Sequence, residues 1–224
     1  MAVVLPHSIY IHLMKTGGWS VRGILSQMKL NVREIGRCHD PAHLLPLPAR
    51  KRPFIFVFIR HPLSWYRSYW AYRMQVDWKV QPNQTITGWQ TFGSILDHEC
   101  RANDFTIWMQ NVLDYVPEGF LSRIYHIYTD EVDFVGRVES FNKDLSRALT
   151  HAGEEFSPEI ISSFPKRNAT GSRFIAAATF PPDLARRVMV AESYITERWG
   201  YRAMPRLLIA TSSKKANPSL GARF

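Results

Sequence analysis

The sequence predicts a single α/β domain in which helices flank a central, mainly parallel sheet, and three observations carry that reading. Short β-rich runs alternate with segments whose apolar residues recur at helical spacing. One run, Pro53 to Ile59, is apolar at every position, as a strand covered on both faces requires. Hydrophobic residues make up 46% of the 224 and aromatics 13%, enough to fill one buried core. The domain is expected over residues 1–204, followed by a basic, flexible tail over 205–224.

Ser8 to Leu13 is a short β-rich run, followed by a Gly-Gly loop and a helix face made of Trp19, Ile24, Leu25 and Met28. Asn31 to Ile35 is short and ambiguous, and the His- and Pro-bearing segment 36–48 admits helix or loop. The apolar run at 53–59 stops at Arg60, and Pro62 then occupies a position that the first turn of a helix tolerates. Aromatics continue at helical spacing through Met74. A polar stretch, 82–88, precedes two helices near Trp89 to Cys100 and Asp104 to Tyr115. Ser122 to Thr129 alternates like a strand, Phe134 to Arg137 adds another, and Glu139 to Ala152 is helical. Residues 157–173 form a Ser-, Pro-, Arg- and Asn-rich loop before one last amphipathic helix, Pro182 to Trp199.

The net charge of +9 makes the chain an attractor of anions, whether nucleotides, acidic sugars, nucleic acid or lipid headgroups. Cys38 and Cys100 form no Cys-x-x-Cys pair, which argues against a disulfide framework or a cysteine-rich zinc site and favours a reducing compartment. The first 18 residues lack the features of a signal peptide, and the longest apolar run, residues 54–59, falls far short of a membrane span. A cytoplasmic protein without a transmembrane segment is the expectation.

Two segments carry chemistry. His12 to Ser20 lies between strand and helix, where backbone N–H groups and the helix dipole hold an anion. Gly17 and Gly18 allow a tight turn and close approach, Lys15 brings a charge, and Thr16 and Ser20 bring hydroxyls. The lysine precedes the glycines, so the loop is not a Walker A motif and implies no magnesium-triphosphate geometry. An ordinary glycine turn with a solvated lysine is the alternative. The second segment starts at Arg60, on the carboxyl edge where open α/β sheets place ligands. With Ser68 eight residues on, it suits a second phosphate monoester, and two phosphate sites suggest a 3',5'-bisphosphate nucleotide. The alternatives are an arginine paired with a carboxylate and a serine on a helix surface.

These stretches resemble the PAPS-dependent sulfotransferases (PAPS being 3'-phosphoadenosine-5'-phosphosulfate), in particular the carbohydrate, Golgi-type branch and its bacterial relatives. Residues 9–20 resemble that family's 5'-phosphosulfate loop, with Trp19 in place of a small residue, and 57–70 resemble its 3'-phosphate motif. Residues 133–145 resemble its Phe-Val-Gly-Arg-x-Glu signature, and 166–170 its late Asn-x-Ser/Thr segment. The resemblance implies a P-loop-like sulfotransferase fold and direct sulfuryl transfer from PAPS to a carbohydrate-like acceptor, with PAP as product and no metal. It places Lys15, Thr16, Gly17, Gly18, Trp19 and Ser20 around the 5'-phosphosulfate, Arg60 and Ser68 on the 3'-phosphate, and Arg167 and Asn168 over the nucleotide. Lys15 is the catalytic cation for the leaving oxygen.

An acceptor hydroxyl needs a base. His39, in a segment resembling the His-bearing one of uronyl 2-O-sulfotransferases, is the candidate, and an ordinary histidine there gives a rate falling below about pH 6.5. A loop histidine bonded to Asp40 is the alternative reading, and His43 and Glu34 are alternative bases. Glu139 and Arg137 are read as holding a strand–helix junction. Loops around residues 75–105 are expected to cover and select the acceptor. Asn168 also opens a glycosylation sequon, a reading that lacks a secretory signal. Competing functions are a kinase-like phosphotransferase, a nucleic-acid-binding module built on aromatics and arginines of residues 65–73, and a nucleotide-binding scaffold without a base.

Overall fold

The computed structural model describes residues 1–28, 30–47, 52–78, 93–165 and 172–201. Five strands, β1 (Ala2–Val4), β2 (Ser8–Ile11), β3 (Arg33–Ile35), β4 (Phe54–Ile59) and β5 (Phe134–Arg137), form one sheet in the order β3-β1-β2-β4-β5. Pairing of β2 with β4 and of β4 with β5 is parallel, while β1 runs antiparallel to both β2 and β3. The sheet is therefore mixed rather than mainly parallel. The short β1, which the sequence pattern did not disclose, lies between β3 and β2 and runs against the other four strands.

Alternation along β4 explains its uniform hydrophobicity. Ile55, Val57 and Ile59 join one core cluster and Phe56 and Phe58 the other. The first face is covered by α2 (Pro62–Gln75), α3 (Phe105–Tyr115), α4 (Phe120–Thr129) and α8 (Pro182–Ala191). On the second lie α1 (Gly18–Gln27), α5 (Phe141–Ala152) and α6 (Pro158–Ser163). Short helices α7 (Ser172–Ala177) and α9 (Ser193–Trp199) complete the first layer. Each fully buried Phe or Ile in these layers contributes about 1.5–3 kcal/mol.

Three readings are corrected. Residues 122–129 are helical, not a strand: Phe120, Leu121, Ile124, Tyr125 and Tyr128 are all buried, a spacing of three and four that only a helix presents to one face. The stretch 157–173 contains α6, started by Ser157, whose hydroxyl accepts from Ile160 N. The last helix is two, broken at Glu192, whose side chain turns into the core. The segment before α3 contains a π-helical turn, Ile95–Glu99. The tail expected over 205–224 lies outside the described residues.

Candidate anion site at the strand ends

β2 and β4 are parallel neighbours, so the residues that leave their carboxyl ends emerge side by side. Lys15 follows β2 and Arg60 ends β4, and the Arg60 guanidinium reaches the Lys15 carbonyl at 3.4 Å. Neither cation forms an ion pair with a carboxylate among the described residues. Lys15 is not a solvated turn lysine. Its ammonium sits 4.5 Å above the Tyr72 ring, and burial, with Arg60 nearby, brings its pKa down to about 8. For Arg60, burial likewise disfavours the charged form, with Glu139 opposing that effect.

The loop is shaped by strain and by close packing. Lys15 and Gly17 both have left-handed backbone, at φ 63 and φ 86, and only the glycine adopts it without steric cost. A Cβ on Gly18 would come within 1.9 Å of the His12 ring, so the first turn of α1 lies directly on that histidine. Thr16 is fully buried and donates to Leu13 O at 2.7 Å, holding the turn rather than pointing outward. No side chain caps α1 and no acidic residue lies in its first turn, while Ser20 N and Val21 N bond Gly17 O; a helix start without a negative side chain is one that an anion can approach. Ser20 is half-buried in that turn and Trp19 is 62% exposed.

Helix α2 closes the site from the other side. Trp65 donates its indole N–H to Met14 O at 2.8 Å and Tyr72 carries Lys15, so residues 65 and 72 both face the loop. Ser68 stands between them at helical spacing on that face. It is buried, not a surface serine, and its hydroxyl bonds none of the described residues. The Arg60 peptide is locked. Tyr125 Oη accepts from Arg60 N at 2.8 Å and donates to Arg60 O at 2.7 Å. Glu139, in the 3-10 turn that follows β5, accepts from His61 N and from Tyr201 Oη, each at 2.8 Å, and so ties that turn to the start of α2.

His39 lies beside the other flank of the loop. Its ring packs on His12 at 4.6 Å between centroids, and its Nδ1 donates to His12 O at 2.7 Å. A carbonyl only accepts, so Nδ1 carries the proton and Nε2 the lone pair of the neutral ring. Tyr128 donates to the His39 carbonyl, and His39 itself is left-handed at φ 64. Burial pushes its pKa down to about 4, and His12 falls well below the ordinary value for the same reason. The acidic limb expected near pH 6.5 therefore moves to lower pH. The alternative bases stand elsewhere: Glu34 is exposed and paired with Arg22, and His43 is exposed in a single 3-10 turn, Ala42–Leu44.

Arg167 and Asn168 lie outside the described residues. Tyr72, Trp65, Tyr125 and His12 went unread as site residues. The signal for the first two was their three-and-four spacing about Ser68; for His12 it was the β2 face shared with Tyr10. Among the described residues no group of His, Cys, Asp and Glu is arranged to hold a metal ion, and no helix is long and apolar enough to cross a membrane. Cys38 is exposed and Cys100 buried, both as free thiols. No family model, curated protein or solved structure matches the chain.

Proposed function

We propose that this chain is a PAPS-dependent sulfotransferase with a P-loop-like sulfotransferase fold, acting on a hydroxyl or amine of a carbohydrate, glycolipid or small-molecule acceptor. One observation carries the reading: Lys15 and Arg60, partly buried at the ends of adjacent parallel strands, with no carboxylate paired to either among the described residues. Two such cations burden the fold until an anion arrives. An uncapped helix N-terminus beside Lys15 fits the 5'-phosphosulfate, and Ser68 with Arg60 fits the 3'-phosphate.

Bound PAPS supplies a sulfur whose bond to the bridging phosphate oxygen breaks as a bond to the acceptor forms. Lys15 is placed to neutralise the charge that gathers on that leaving oxygen. His39 Nε2 takes the acceptor proton, which requires the neutral ring that burial enforces. The hydrogen bond from Nδ1 to the His12 carbonyl selects the tautomer and leaves Nε2 as the basic nitrogen.

Thermal shift with PAP and with ATP tests the donor. PAP should raise Tm more than ATP, because Arg60 and Ser68 address a 3'-phosphate that ATP lacks, and magnesium should not change the PAP result. Equal shifts, or ATP binding that needs magnesium, overturn the reading in favour of a phosphotransferase.

A further inference from the structure

Trp19 breaks the pattern of its own kind. Trp65, Trp70, Trp78 and Trp108 are each at most 5% exposed, whereas Trp19 holds its indole 62% in water. A single exposed aromatic is unremarkable by itself. Its position is what counts. Trp19 follows Gly18 in the first turn of α1, and the Gly18 backbone lies against the His12 ring, which packs on His39. Three residues on, and so neighbouring Trp19 on the helix surface, Arg22 bonds Glu34 of β3. The charge of Arg22 is close enough to disfavour protonation of both His12 and His39. One side of α1 therefore joins an exposed indole, a neutralised ion pair and the histidine whose Nε2 bears a lone pair.

We infer that Trp19 is the acceptor platform: a pyranoside ring stacks its apolar C–H face on the indole, its hydroxyls meet the Arg22–Glu34 pair, and one hydroxyl is delivered to His39. This rests on the sulfuryl-transfer reading and adds the residue that selects the acceptor. Indole faces are electron-rich and ring C–H edges are electropositive, so stacking gives orientation without a net charge on the acceptor. The ion pair offers donors and acceptors together, which suits a polyol. The resemblance sets Trp19 beside the 5'-phosphosulfate, but its indole is 62% exposed, so the acceptor meets the ring while the helix backbone at residue 19 stays on the donor side with Lys15, Arg60 and Ser68.

The test uses the full chain, labelled PAPS and a panel of methyl pyranosides: glucoside, galactoside, N-acetylglucosaminide and glucuronide. At least one should be sulfated, and Trp19→Ala should raise its KM by about tenfold or more, the worth of one stacked ring. PAP affinity should fall by much less than KM rises, and Trp19→Phe should recover most of the KM loss. Several outcomes overturn the inference: no sulfation of any pyranoside by a chain that binds PAP, an unchanged KM in Trp19→Ala, or a parallel loss of PAP affinity that assigns the indole to the donor. Sulfation of a phenol such as 2-naphthol in their place overturns it too, by moving the acceptor to another class. Failure of the wild-type chain to bind PAP removes the donor reading itself and this inference with it, and PAP titration reports that independently of any acceptor.

Discussion

The N-terminus of α4 is closed by a carboxylate that the chain supplies itself, whereas that of α1 has neither a capping side chain nor an acidic residue in its first turn. Glu192, 1% exposed, accepts from Leu121 N at 3.1 Å, from Ser122 N at 2.6 Å and from Ser122 Oγ at 2.7 Å, and Tyr66 donates to it as well. Burial pushes the pKa of Glu192 up, and these four donors oppose that shift. At α1 the positive end of the helix is joined by two cations instead, Lys15 and Arg60. The first terminus is finished by folding. The second has no such carboxylate, and the two cations beside it disfavour each other's charge.

Removing the charge should therefore have opposite consequences at the two places. Glu192→Ala leaves two backbone donors and two hydroxyls without an acceptor in the core, and should cost about 3–5 kcal/mol in chemical unfolding, close to the whole stability of many domains. An effect under about 1 kcal/mol would mean that water replaces the carboxylate. Arg60→Ala should weaken PAP binding by about 1.5–3 kcal/mol, the worth of a charge-assisted contact, while leaving stability unchanged or raised. Unchanged affinity by calorimetry would remove Arg60 from the donor site.

The two termini also differed in how far the sequence disclosed them. The loop of α1 is local: Lys15, Gly17 and Gly18 are adjacent, and the uniform run at 54–59 with its abrupt end at Arg60 identifies the neighbouring strand. The Glu192 cap is not local. Its partners Leu121 and Ser122 are about seventy residues upstream and Tyr66 farther still, and nothing in the composition of 182–199 marks the one residue that turns inward. The same distance hid α4 itself, since Ile124, Tyr125, Ile127 and Tyr128 are strand-favouring types and only packing against α2 and β4 resolves their period. For His39 the segment was legible but its environment was not, because the His12 carbonyl and ring come from β2's exit, 27 residues away.

That environment makes a smaller but sharper prediction. With a pKa near 4, His39 stays neutral through pH 5.5, so turnover should be nearly flat between pH 7 and 5.5, where an ordinary histidine base would lose about tenfold. His39→Ala should lower turnover by about 100-fold with PAP affinity intact. A limb at pH 6.5 that survives in His39→Ala would transfer the role to another base, Glu34 or His43. Stability carries the same group with its own sign. Unfolded histidine binds a proton below about pH 6.5 and the folded ring does not until about pH 4, so His39 destabilises the fold progressively across that window as pH falls.

Lys15 gives the clearest separation of binding from folding. Its ammonium titrates near pH 8 in the folded protein and near 10.4 unfolded, so below pH 8 burial of the charge opposes folding in full. As pH rises from about 8 to 10.4 the unfolded chain holds the proton that the folded chain has released, and the opposition is relieved. Ligand affinity runs the other way. An anion in the site favours the protonated amine, so PAP should bind several-fold more weakly at pH 9 than at pH 7, and binding near pH 8 should take up protons from the buffer. Lys15→Met keeps the stem over Tyr72 and removes the charge. It should be more stable than wild type at pH 7, lose that advantage toward pH 10, and bind PAP more weakly with no pH dependence in this range. A Lys15→Met chain that is less stable at pH 7, or that keeps the pH-dependent affinity, would show that Lys15 serves the loop's structure and that another group answers the anion.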